Sequence, residues 1–114
     1  MERRKIIAER RAALRAPFVA AVRQRVGSEV QLALAQNVGE RGIELRRSAG
    51  RVYLPRTPVS LQFELPDGGA PIRVLGSIIF ERPHGTYQAT GVRFESISPA
   101  DRARLSEFVG RKTG

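Results

Sequence analysis

An all-β fold, an antiparallel barrel or sandwich with one helix at its C-terminal end, is what this 114-residue sequence predicts. Three observations carry the prediction. Apolar and polar residues alternate with period two from Phe18 to Leu65 and again around Val92 and Phe94, the pattern of half-buried antiparallel strands. Turn chemistry separates the runs, at Pro66-Asp67-Gly68-Gly69 and at Arg82-Pro83-His84-Gly85. The last stretch then switches to helical spacing. A chain of this length is one domain and can bury roughly two thirds of its unfolded surface, enough for a core without disulfide or metal staples.

Taken in order, residues Glu2 to Leu14 read as a marginal helix. Ala, Arg, Glu and Leu are good helix formers, but the apolar stripe of Ile6, Ile7 and Leu14 is thin, and about 13 residues barely hold a helix alone in water. Pro17 pushes Ala16 out of the helical region and ends the segment. Residues 1–16 are therefore expected to be an arginine-rich switch segment, mobile or helical, followed by a barrel domain over 17–110 and a tail over 111–114. Strands are expected through Phe18, Ala20, Val22 and Val26; through Val30, Leu32 and Leu34; through Ile43 and Leu45; and through Val59, Leu61, Phe63 and Leu65. A long strand follows from Ile72 to Glu81, then another through Val92 and Phe94, giving six in all. In the long strand Leu75 and Ile79 face away from Ile72, Val74, Ile78 and Phe80, so something apolar must cover a second face. The final helix is the expected cover: Ser98 caps it, Pro99 suits its first position, Asp101 completes the cap, Leu105, Phe108 and Val109 form one face, and Gly110 ends it.

Charge and composition narrow the function. Twenty Lys+Arg against 11 Asp+Glu leave +9, and all but Lys5 and Lys112 of the basic residues are arginines, whose planar forks grip phosphate and stack on rings. An anionic, nucleotide-bearing partner is favoured. With no Cys there is no thiolate nucleophile and no sulfur-bound zinc, and a reducing cytoplasm fits best. Ile6-Ile7-Ala8 is too short for a signal core or a membrane span, so no membrane insertion is expected. His84 and Asp67 are explained by their turns, Asp101 and Glu107 lie on different helix faces, and no His and carboxylate set has metal-ligand spacing. The chain does not read as an enzyme and calls for no cofactor. A nucleic-acid-binding barrel would need exposed aromatics, whereas Phe18, Phe63, Phe80 and Phe94 fall at inward positions and only Tyr53 and Tyr87 remain.

Two segments stand out. Arg10-Arg11-Ala12-Ala13-Leu14-Arg15 sets Arg11 and Arg15 four apart, so that two guanidinium forks can converge on one anion. Asn37-Val38-Gly39-Glu40-Arg41-Gly42 joins two strands, offers an amide at Asn37, and has glycines at 39 and 42 that permit positive φ and close approach of a ligand to the backbone.

Together these segments resemble the signatures of the PilZ domain family, R-x-x-x-R followed after one hairpin by [D/N]-x-S-x-x-G. Gly91-Val92-Arg93-Phe94 and the short terminal helix resemble the end of the same domain, so the similarity spans about residues 9 to 110. The resemblance implies a six-stranded antiparallel barrel with a C-terminal helix and binding of the bacterial second messenger cyclic di-GMP. It also implies that Arg10, Arg11 and Arg15 wrap phosphates and guanines, that Asn37 reads a guanine edge and that Gly42 shapes the turn. Gly39 stands where the family has serine, a lost hydroxyl contact of about 0.5–1.5 kcal/mol. The alternative it leaves open is a degenerate domain that binds no cyclic di-GMP and acts as an adaptor for a downstream protein.

Overall fold

The computed structural model describes residues 16–113; the arginine-rich segment up to Arg15 lies outside them. Seven strands follow the turn punctuation: β1 (Ala16–Pro17), β2 (Ala21–Val26), β3 (Glu29–Val38), β4 (Gly42–Ser48), β5 (Pro58–Phe63), β6 (Ile72–His84) and β7 (Tyr87–Ile97), before helix α1 (Pro99–Thr113). All pairings are antiparallel. The order β3-β2-β5-β6-β7-β4 closes on itself through β3–β4, giving a six-stranded barrel, and the short β1 pairs with β3 outside that count. A barrel has no free sheet edge along its closed length, which is how so short a chain keeps its backbone satisfied.

The interior is lined by Val22, Ala35, Leu45, Leu61, Phe63, Ile72, Val74, Ile78 and Val92, all essentially inaccessible to solvent. One end of it is polar. Arg47 on β4 is buried and pairs with the buried Glu81 of β6 through two contacts, the longer at 2.9 Å, and it also donates to the Arg51 carbonyl at 2.5 Å. Glu81 further accepts from Thr90 Oγ1 at 3.1 Å, Gln88 Nε2 at 3.4 Å and the Tyr53 amide at 3.4 Å. Two charges taken from water survive only with this density of partners.

α1 begins as its sequence dictates. The Asp101 amide donates to Ser98 Oγ at 3.1 Å, the capping contact. Phe108 packs edge-on against Phe18 at 5.4 Å, and Phe18 in turn against Phe63 at 5.7 Å. The helix thus plugs the barrel end opposite the polar cluster. Arg104 ties it to the β5–β6 turn through Asp67 at 2.9 Å and the Ala70 carbonyl at 2.5 Å, while Ser106 donates to Glu40 at 2.8 Å in the β3–β4 turn.

Three expectations need correction. The helix does not cover Leu75 and Ile79, which are 58% and 44% exposed. Both do face outward, Leu75 by simple alternation and Ile79 where β6 slips against β7 between Ile78 and Phe80, but the helix lies across an end of the barrel and not on that wall. Val30, Leu32 and Leu34 are the outward row of β3, and Ala33 and Ala35 the inward one. The Leu-Ala-Leu-Ala run offers two apolar faces. A one-residue change of register exchanges them, and the small alanines fit beside Val22 and Leu45, their partners on the neighbouring strands, in the filled interior. Finally, the helix continues past Gly110 to Thr113, since Gly110 adopts no left-handed stop.

Candidate functional site

The site is assembled where β3 turns into β4. After Val38 the chain closes a tight turn in which the Gly39 amide donates to the Gly42 carbonyl at 2.8 Å, and the Phe94 amide fixes the Arg41 carbonyl at 2.7 Å. Gly42 sits so near β7 that a Cβ there would lie 2.6 Å from the Val92 carbonyl oxygen. Only glycine fits that approach. Neither Gly39 nor Gly42 uses the positive φ that glycine permits: the described glycines with positive φ are Gly27, Gly68 and Gly85. What the second glycine supplies is space for strand packing.

Strand register then lays out a single row across five strands. Pro17 of β1 is opposite Asn37 of β3, Asn37 opposite Glu44 of β4, Glu44 opposite Gly91 of β7, and Gly91 opposite Phe80 of β6. Four strand spacings make this row about 19 Å long. Over much of it runs a groove of about 550 Å³ whose walls include Asn37, Glu40, Arg41, Gly42, Glu44, Phe80, Gly91, Arg93 and Arg102. A Cβ on Gly91 would meet the Phe80 ring at 2.1 Å, so this second glycine of the groove lets the ring settle against the β7 backbone. Arg82 lies over the same ring, 4.5 Å from its centroid.

Charge in the groove is mixed but net basic. Arg41, Arg93 and Arg102 are exposed, and among the described residues no carboxylate pairs with any of them. Glu40 is occupied by Ser106, and Glu44 sits in the middle of the row. Three forks around an open, half-polar concavity suit a ligand with phosphates and planar rings. Among the described residues no group of three or more His, Asp or Glu side chains could hold a metal ion.

Of the residues singled out in the sequence, Asn37 and Gly42 line the groove, and Gly39 is buried in the turn without lining it. Arg10, Arg11 and Arg15 lie outside the described residues. Ala16, the residue bonded to Arg15, is opposite Val38, so the arginine motif runs directly into the strand beside Asn37. Sequence reasoning missed Arg41, Arg93, Arg102 and Phe80. The first two stand inside the motifs already quoted, which was signal enough. Phe80 was assigned inward because the irregularity in β6 is invisible in the alternation.

A closed antiparallel barrel with a basic groove on its wall and a helix over one end defines a small barrel module. The family model for the PilZ domain matches residues 9–111, and the chain belongs to the PilZ domain family. Solved structures agree in fold. The Bacillus subtilis inhibitor of motility MotI/DgrA superposes with a TM-score of 0.77 at 18% identity, over 86% of this chain and 48% of that one. K. pneumonia MrkH gives 0.70 at 13% identity, over 87% of this chain and 46% of its own. The Borreliella burgdorferi PlzA protein, solved in complex with c-di-GMP, gives 0.57 at 12% identity, over 93% and 48%. The chain spans about half the length of these structures. No curated protein matches it in sequence. No helix among the described residues is long and apolar enough to cross a membrane.

Proposed function

We propose that this PilZ domain is a receptor for cyclic di-GMP in the bacterial cytoplasm, signalling to a downstream protein rather than catalysing a reaction. The observation that carries the reading is the register of β1 on β3. It brings Ala16-Pro17, the end of the arginine motif, alongside Val38 and Asn37, the start of the second motif, although some twenty residues separate them in sequence. Family membership supplies the ligand class. Arg11 and Arg15 anchor the phosphates, with Arg10 beside them; Asn37 reads a guanine edge; Gly42 keeps the turn tight against β7. Arg15 is bonded to Ala16, whose strand pairs with β3 at Val38, next to the Asn37 that lines the groove. Arg41 and Arg93 add charge-assisted donors from the far wall.

Isothermal titration with cyclic di-GMP tests this. The wild-type chain binds, and Arg15→Ala costs about 1.5–3 kcal/mol, a tenfold to hundredfold loss of affinity. Asn37→Ala costs less but reduces discrimination against the adenine dinucleotide. A second reading rests on two specific residues. With Gly39 in place of serine and a carboxylate, Glu44, in the middle of the row, the domain works as an adaptor without the nucleotide. Absence of heat from wild type up to millimolar ligand selects that reading.

A further inference from the structure

The outer wall made by β2 and β3 carries a surface that the groove does not use. Val30, Leu32 and Leu34 stand on it in a row, 47%, 71% and 49% exposed, since residues two apart on a strand share a face. Register sets Arg25, Arg23 and Ala21 opposite them on β2, and Arg46 of β4 opposite Leu34 on the other side. An apolar row is thus flanked by three exposed guanidiniums, and among the described residues no carboxylate pairs with any of them.

The backbone supplies a second, independent observation. Ala35 donates its amide to the Ala20 carbonyl at 2.8 Å. By antiparallel alternation Glu29, Gln31 and Ala33 therefore turn their backbone groups toward β2, and Val30, Leu32 and Leu34 turn theirs away. β4 meets β3 only from Leu34 onward. The amides and carbonyls of Val30 and Leu32 are left without a ladder partner among the described residues, an open edge at the polar end of the barrel. Across the gap the Arg51 side chain reaches Glu29 at 2.6 Å and the Tyr53 hydroxyl reaches it at 3.0 Å.

We propose that this edge is a docking site for an extended, acidic segment of a partner protein, which adds to β3 as a further strand. The main chain of Val30 and Leu32 pairs with it, its apolar side chains lie beside Leu32, and its acidic residues reach Arg23, Arg25 and Arg46. Charge complementarity selects this occupant. A second copy would bring the same arginines, and a net charge of +9 on each chain, against one another. An anionic bilayer would match the charge but make no use of an unpaired main-chain edge. The site is separate from the groove and does not depend on cyclic di-GMP binding.

The probe is the blocked peptide Glu-Glu-Val-Thr-Val-Thr-Val-Glu-Glu, titrated into the full chain and followed by amide NMR and hydrogen exchange. The expected result is shifts confined to Val30–Ala33 and their neighbours, with new exchange protection at Val30 and Leu32. Affinity drops at least tenfold in Leu32→Glu and in the combined Arg23→Gln, Arg25→Gln and Arg46→Gln protein, both of which still fold cooperatively because all four positions are exposed. The triple variant gives up the contacts of Arg46 with Gln36 and Tyr87 and of Arg25 with the Gly27 carbonyl, and melts slightly lower. Methylating alternate amides of the peptide abolishes binding. Four results overturn the proposal: no shift at millimolar peptide, equal binding of the methylated peptide, equal binding of a lysine-for-glutamate peptide, or a Leu32-dependent self-association. Leu32-dependent sedimentation with phosphatidylglycerol vesicles in the absence of peptide binding assigns the surface to lipid instead.

Discussion

Strand β4 joins two regions that use the same side chain in opposite ways. At its start, Gly42 faces the groove where Arg41 and Arg93 extend their guanidiniums into solvent; near its end, Arg47 is buried against Glu81. Five residues, about 16 Å of strand, separate them. Arg47 has fixed acceptors within the protein: a carboxylate and the Arg51 carbonyl, with the Tyr53 ring 5.3 Å away. The groove arginines have no such fixed carboxylates among the described residues. An arginine whose charge is paired inside the molecule holds the fold, even though the buried Arg47 Nε itself has no partner, and one whose charge faces no carboxylate beside a concavity is available to a ligand. Sequence position does not distinguish the two, whereas burial and partner count do.

The largest effect that sharpens this comparison is on stability. Glu81→Ala leaves Arg47 charged, buried and uncompensated, and is expected to cost about 3–5 kcal/mol in urea unfolding. Replacing both partners together, Arg47→Met with Glu81→Leu, costs far less, because no orphaned charge remains. Equal losses in the single and double variants would show that the pair acts by packing alone. Next comes the opposite end of the barrel. Phe108→Ala removes the ring that packs on Phe18, for a loss of about 3 kcal/mol or more. A protein that melts like wild type would mean that the helix is not the plug described.

These two variants also mark how much was legible. The barrel, its order of elements and the helix with its Leu105, Phe108 and Val109 face follow from alternation, turns and caps, since each is set by neighbours in sequence. The motifs around Asn37 and Gly91 were equally local. What the alternation could not show was which apolar face of β3 turns inward, because both Leu32-Leu34 and Ala33-Ala35 satisfy period two and only the filled interior decides. It could not show the β6 irregularity between Ile78 and Phe80 that puts Phe80 in the groove, since an extra residue in a strand leaves no compositional mark. Nor could it pair Arg47 with Glu81, 34 residues away.

On the ligand side the effects are smaller. Gly39→Ser restores the hydroxyl that the family pattern has, and titration should show tighter cyclic di-GMP binding by up to about tenfold, the worth of one hydrogen bond. Weaker binding would mean that the buried turn, not a missing contact, sets the residue there. The smallest effect concerns pH. The Gly69 amide, and after it Arg104, hold the Asp67 carboxyl below its ordinary value near 3.8. A carboxyl depressed by folding adds stability above its unfolded pKa and loses it as pH falls through the folded value. Asp67→Asn should therefore melt slightly below wild type at pH 7, and the gap should close as the pH falls below 3.8 and through the lowered folded value. A gap that stays constant down to pH 2 would show that the turn gains nothing from the charge.

The most direct test of the division between structural and ligand-facing arginines is the melting temperature of wild type, Arg15→Ala and Glu81→Ala, each with and without cyclic di-GMP at about a hundred times the wild-type Kd. Saturation at that level adds about 2.7 kcal/mol and should raise the wild-type Tm by on the order of 10 °C. Arg15→Ala should melt like wild type when free and lose most of the ligand-induced rise. Glu81→Ala should melt much lower when free and keep the rise. A full rise in Arg15→Ala, or none in wild type, would contradict the account.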